Sequence, residues 1–205
     1  MSSVHVIIEI NSPLAFLPLG DSSVCATAVK RAQEAHSRPS VSVFVHTALR
    51  DEWNRLDSKF KPQVKSELAD TLIEAVNSLP CDYVLIHEAL RPLTLPKTFD
   101  EVVHALEAGA EAARPAHAVV DTLKTVTSDY LVDTTINRER MQALTSPEGY
   151  KRDCITGTDG IWHFNVRNPD SIHFVRGDQE SIKVRQKEDV VLVESFLAWQ
   201  TITKS

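Results

Sequence analysis

Apolar residues gather in four short runs over the first part of the chain: VHVIIEI (4–10), VSVFVH (41–46), YVLIH (83–87) and AHAVVD (116–121). None alternates cleanly with polar residues, and Val and Ile dominate, which is how strands buried on both faces read. Between them lie SVCATAVKRAQEAH, KSELADTLIEAVNSL and TFDEVVHALEAGAEAA, where apolar residues recur at the three- and four-residue spacing of a helix with one buried face. The order β-α-β-α-β-α-β predicts an α/β fold: a mostly parallel, twisted sheet with helices on both faces and ligands gathered beyond the carboxyl ends of the strands. HEALRP (87–92) falls at one such end, where His87, Glu88 and Arg91 can stay charged or polar at little desolvation cost.

From Thr125 the pattern changes. TVTSDYLVDTTIN alternates β-branched and polar residues like a half-exposed strand pair, so residues 125–160 are predicted to form an arm on a single domain of 205 residues. The loop-rich TSPEGYKRD and TGTDG follow, then SIKV and a final amphipathic helix, EDVVLVESFLAWQ, with Val190, Val193 and Leu197 on one face.

Composition narrows the class. With 42% hydrophobic and 24% charged residues this is an ordinary globular chain, and a net charge of -6 without a basic cluster argues against nucleic acid as a partner. Three widely spaced cysteines suggest neither a disulfide framework nor a zinc site, which fits a reducing cytoplasm. MSSVHVIIEINSP lacks the basic and long apolar regions of a signal peptide, and no run has the length of a membrane span. His87, His163 and His173 show no metal-site spacing and read as structural or solvent-facing; Trp53, Trp162 and Trp199 read as core or interface anchors, and Cys25 as buried filler.

Four stretches then fall in a familiar order. IHEALRPL resembles the His-Asp-Ala-Ala-Arg-Pro signature of the 2-C-methyl-D-erythritol 4-phosphate cytidylyltransferases of the non-mevalonate isoprenoid pathway and of their ribitol-phosphate relatives. PAHAVVDTLKTV, TINRERMQALTSPEGY and SIKVRQKEDVVLVESFL are similar to three later stretches of the same family. The resemblance implies a nucleotidyltransferase-like (Rossmann-like) fold and attack of a sugar-alcohol phosphate on the α-phosphorus of CTP, with Mg²⁺, releasing pyrophosphate. It also implies a dimer in which the arm of one subunit reaches the other's site. Carried over by position, Lys183 is the catalytic candidate, facing the charge that builds up on the transferring phosphate. Arg138 and Ser146 match arm residues that hold the acceptor, Glu88 stands where the family has Asp, and Arg91 matches the adjoining Arg; Asp121 and Lys124 read as fixing the base of the arm. Asp159 falls near a family Thr-Asp pair.

The opening departs from the family. The glycine-rich loop between the first strand and AFLPLG is missing, Leu14 takes the position of the family's first catalytic Lys, and no glycine occurs before Gly20 or between Asp21 and His104. Phosphate cradles use glycine so that backbone N–H groups can turn toward the ligand, and Glu9 would repel a triphosphate. The expectation is therefore a family member whose use of CTP is weakened or lost. The alternative is a non-catalytic paralogue, either a homodimer or heterodimer partner of an intact enzyme or a sugar-phosphate binder.

Overall fold

The structure, a computed structural model, describes residues 2–158 and 163–203. Asp159 and Trp162, singled out above, lie outside the described residues. The chain begins with β1 (Val4–Ile10), the two-residue strands β2 (Pro18–Leu19) and β3 (Ser22–Ser23), α1 (Val24–Gln33) and β4 (Ser40–Val45). Next come α2 (Arg50–Arg55), β5 (Lys65–Glu67), α3 (Leu72–Asn77), β6 (Tyr83–Glu88), α4 (Pro96–Glu107) and β7 (Ala112–Ala118). The hairpin β8 (Leu123–Val126) and β9 (Val132–Ile136) precedes β10 (Gln142–Leu144) and β11 (Glu148–Lys151). A small pair, β12 (Ile155–Gly157) and β13 (Asn165–Val166), then β14 (Ile172–Arg176) and α5 (Asp189–Thr203) complete it.

The main sheet runs β10-β7-β11-β6-β1-β4-β5, with β14 on the other side of β7. β1 pairs in parallel with both β4 and β6, so the chain winds outward to one side of β1 and then returns to the other. That reversal opens a crevice beyond the carboxyl end of β1, the place where such sheets take ligands. β11 and β10 run antiparallel among these strands.

Strand alternation sends Val6, Ile8 and Ile10 toward one core, shared with α1, α4 and Val193 of α5, and Ile7 toward a second, shared with α3, Tyr150 and Phe164. Both faces are thus covered, which is why β1, β4 and β6 read as unbroken apolar runs. On α4, Phe99, Val102, Val103 and Leu106 form one buried stripe, each such side chain contributing about 1.5–3 kcal/mol on full burial. Among the described residues no helix is long and apolar enough to cross a membrane.

Four boundaries differ from expectation. α4 stops at Glu107 rather than running to Ala113: Gly109 adopts φ 120° and the amides of Gly109 and Ala110 return to the carbonyls of Leu106 and Ala105, closing the helix. β7 accordingly starts at Ala112, four residues before the apolar run that suggested it. The stretch read as one helix from Lys65 is the edge strand β5 followed by a short α3, whose start is fixed where Thr71 and Glu74 cap each other's amides. The hairpin that pairs only with itself spans 123–136, and 142–151 returns to the sheet instead of extending an arm to 160.

Candidate functional site

Two charged clusters meet at the carboxyl end of the sheet. The first is built on the end of β6. Glu88 is its last residue, and Arg91 follows in a turn closed by the Arg91 amide on the Glu88 carbonyl at 3.0 Å. Arg91 Nε donates to Glu88 Oε2 at 2.6 Å and Lys183 Nζ to Oε1 at 2.8 Å. Arg91 Nη1 also donates to the Ser181 carbonyl at 2.6 Å, and the Val184 amide to the Leu90 carbonyl at 2.8 Å, so the segment carrying Lys183 is laced to the turn carrying Arg91. Burial works against a charged Glu88, but Lys183 and Arg91 outweigh it and hold its carboxyl below the usual range. Two cations share one carboxylate, leaving the cluster net positive. Lys183 Nζ has that single acceptor among the described residues, so it keeps donor capacity for a ligand.

Behind this turn, His87 is fully buried, its Nδ1 2.8 Å from Ser146 Oγ and its Nε2 3.3 Å from the Arg91 carbonyl. The Glu88 amide donates to Ser146 Oγ at 2.9 Å. Desolvation drives His87 down to about 3, so it is neutral.

The second cluster fills the crevice beyond β1. Glu9 is 6% exposed and its carboxylate meets His46 Nε2 at 2.8 Å and His163 Nε2 at 3.0 Å. His163 Nδ1 stands 3.0 Å from Glu148 Oε1, an ion-pair contact outside hydrogen-bond geometry, so one imidazole joins two carboxylates. Glu148, 4% exposed, is also held by Arg114 and by the Tyr150 hydroxyl. Burial opposes charge on His163, yet the bonds to Glu148 and Glu9 prevail and raise it to about 10; both carboxyls are correspondingly lowered against the same burial. Between the clusters remains a cavity of about 40 Å³, lined by Glu88, Arg91, Arg114, Ser146, Glu148 and His163. Small-molecule pockets are typically ~300–1,000 Å³, so this gap is on the scale of one or two waters.

The sequence candidates are thus placed unevenly. Glu88, Arg91 and Lys183 come together, 95 residues apart in the extreme. Ser146 lies directly beneath them. Arg138 sits beyond the hairpin, its guanidinium on the Val120 carbonyl, with no contact to Lys183 among the described residues. Lys124 Nζ bonds Thr135 Oγ1 at 2.5 Å, tying the two hairpin strands. Leu14 packs against the main core, and only Asn11 and Ser12 separate β1 from the turn at Pro13–Phe16. His163 and Glu148 were missed as a pair with Glu9; the one sequence signal is an acid near the end of the Val- and Ile-rich VHVIIEI.

Mg²⁺ takes hard oxygen ligands, usually one or two carboxylates together with waters and substrate phosphates. Among the described residues, the six carboxylate oxygens at this mouth, from Glu9, Glu88 and Glu148, already hold a cation or donor, and no His, Cys, Asp and Glu group is disposed to hold a metal. As arranged, these residues do not fit the ion.

Comparison with known proteins agrees with the fold. The structure is similar to 4-diphosphocytidyl-2C-methyl-D-erythritol synthase from Anaerococcus prevotii (TM-score 0.73, 19% identity, 96% of each chain) and to 2-C-methyl-D-erythritol 4-phosphate cytidylyltransferase from Thermus thermophilus (TM-score 0.70, 17% identity, 96% of this chain and 98% of that one). By sequence, it is 31% identical over 140 residues to the bifunctional enzyme IspD/IspF of Oleidesulfovibrio alaskensis, covering 62% of this chain and 35% of that one. The cytidylyltransferase of Frankia casuarinae is 31% identical over 143 residues (65% of this chain, 54% of that one), so the match spans about a third to a half of these two relatives. The Nocardia farcinica enzyme is 28% identical over 203 residues, 91% of this chain and 86% of that one. A family profile described as 2-C-methyl-D-erythritol 4-phosphate cytidylyltransferase matches residues 8–161, most of the chain, and the protein belongs to that family.

Proposed function

We propose that this chain binds the phosphate of a sugar alcohol through Lys183 and Arg91, and that its use of CTP is weakened or lost. The family reaction would have that phosphate attack the α-phosphorus of CTP, with Lys183 facing the developing charge and pyrophosphate leaving. One observation carries the second half of the reading: the crevice beyond β1 is occupied by the paired charges of Glu9, His163 and Glu148. A triphosphate entering there would meet two buried carboxylates and no glycine loop to turn amides toward it. The first half is supported by two cations on one carboxylate, an arrangement in which an incoming phosphate finds charge-assisted donors already in place.

A second reading has a specific observation in its favour. The hairpin tip exposes Tyr130, Leu131 and Val132, an apolar surface that fits contact with another subunit. On that reading the chain lends its arm, with Arg138, to the site of a partner copy or an intact paralogue. Titration with CTP and MgCl₂, followed by thermal melting, separates the readings. A ligand present at a hundred times its dissociation constant adds about 2.7 kcal/mol. The proposal expects stabilisation by a polyol phosphate and none by CTP; CTP binding with pyrophosphate release would refute the loss.

A further inference from the structure

We infer that His87 and Ser146 are positioning residues that clamp both ends of the Glu88–Arg91 turn and so set how Arg91 and Lys183 meet a phosphate. The inference rests on reading that cluster as a phosphate site.

The direction of every bond in the clamp is fixed by its ends. The Arg91 carbonyl can only accept, so His87 carries its proton on Nε2, 3.3 Å away. The neutral ring then has a bare Nδ1, and Ser146 must donate to it across 2.8 Å. Having given its one proton, Ser146 Oγ accepts from the Glu88 amide at 2.9 Å. A single line of polarity therefore runs from Glu88 through Ser146 and His87 to Arg91, gripping the turn at its first and last residues. The sheet register explains why a serine serves: β11 pairs Glu148 with Ile86, so Ser146 faces Glu88 two residues on, and its hydroxyl takes the amide that a ladder carbonyl would otherwise bind. Phe99, edge-on to the imidazole with centroids 5.0 Å apart, fixes the ring from the α4 side.

Ser146 is 4% exposed and its proton is spent inside the protein. Its effect on a ligand passes through Glu88 and Arg91, whereas a residue touching the acceptor's hydroxyls would act on those hydroxyls alone. Two ligands separate these roles: inorganic phosphate, which has no polyol, and a five-carbon polyol phosphate. By calorimetry on the full chain, Ser146→Ala is expected to weaken both by the same factor, about tenfold, the scale of one lost hydrogen bond. Ser146→Thr restores both. Weakening of the polyol phosphate alone, or of neither, would overturn the clamp. A second measurement needs neither ligand nor variant. ¹⁵N spectra of the wild-type imidazole at pH 7 are expected to show the Nε2–H tautomer with a hydrogen-bonded, unprotonated Nδ1, and an Nδ1–H tautomer overturns the clamp. Wild-type protein that binds neither phosphate sinks the reading of the cluster, and the tautomer then decides the clamp by itself.

Discussion

Replacing His163 by alanine removes the one imidazole shared by two buried carboxylates and tests whether charge holds the crevice shut. The ordinary histidine value is 6.5; in the folded protein, although burial opposes the charge, the bonds to Glu148 and Glu9 raise it to about 10. With the folded value raised, the stabilisation is complete below pH 6.5, declines as pH climbs and is gone above about 10. At about 1.36 kcal/mol per pH unit, the interval from pH 7 to pH 10 corresponds to roughly 4 kcal/mol. Removing one partner of a buried ion pair costs about 3–5 kcal/mol, so two routes agree in size. Solvent screening is modest, since the His163 side chain is 23% exposed and those of Glu9 and Glu148 7% and 5%. The assay is urea unfolding of wild type and His163→Ala at pH 7 and pH 10.5, with the difference between proteins cancelling other titrations. The wild type should lead by roughly 3–4 kcal/mol at pH 7 and by about 1 kcal/mol at pH 10.5, the residue of neutral hydrogen bonding. A lead of the same size at both pH values would mean that the imidazole acts by shape alone, and the electrostatic account would fail.

Other consequences can be checked independently. A Cβ on Gly149 would lie 2.3 Å from Val102 Cγ1 and 3.1 Å from Leu106 Cδ1, so Gly149→Ala should cost about 1–3 kcal/mol in thermal unfolding; a neutral result would mean that α4 does not press on β11. Thr71→Ala removes one half of the mutual cap on α3 and should cost about 1 kcal/mol in urea. Glu9 and Glu148 have lowered values, so their stabilisation is present above the ordinary 4.5 and lost as pH falls through the folded values; Glu9→Gln should flatten the acid limb of the stability curve, and an unchanged limb would count against the pairing. Charging the hairpin tip with Leu131→Lys and Val132→Lys should convert any dimer to monomer in sedimentation; at concentrations where the wild type is already a monomer the melting temperature should be unchanged, and a lowered one there would place the tip in the fold itself.

Much of the scaffold could be read from the chain because β1, β4 and β6 are covered on both sides and carry unbroken Val and Ile. Where elements are short, pattern was a poor guide. β5 has three residues at an edge, and Lys65 and Glu67 there look helical until the Thr71 cap is seen. The end of α4 hung on one left-handed residue, Gly109, inside an alanine-rich stretch that favours helix by composition. Glu88, Arg91 and Lys183 were legible through motifs whose order survives along the chain. The Glu9–His163–Glu148 bridge was not, because its bonds span 154 residues and no local spacing announces them. Ser146 was legible as a candidate but not in its orientation, which only the register of β11 against β6 reveals.

The two-residue link from Ile10 to Pro13 has a practical consequence for anyone rebuilding a nucleotide loop here. Inserted glycines would emerge beside a carboxylate already locked by histidines from both halves of the chain. Lengthening the backbone and neutralising Glu9 are therefore a single engineering step, and a graft that does only the former would open onto an occupied room.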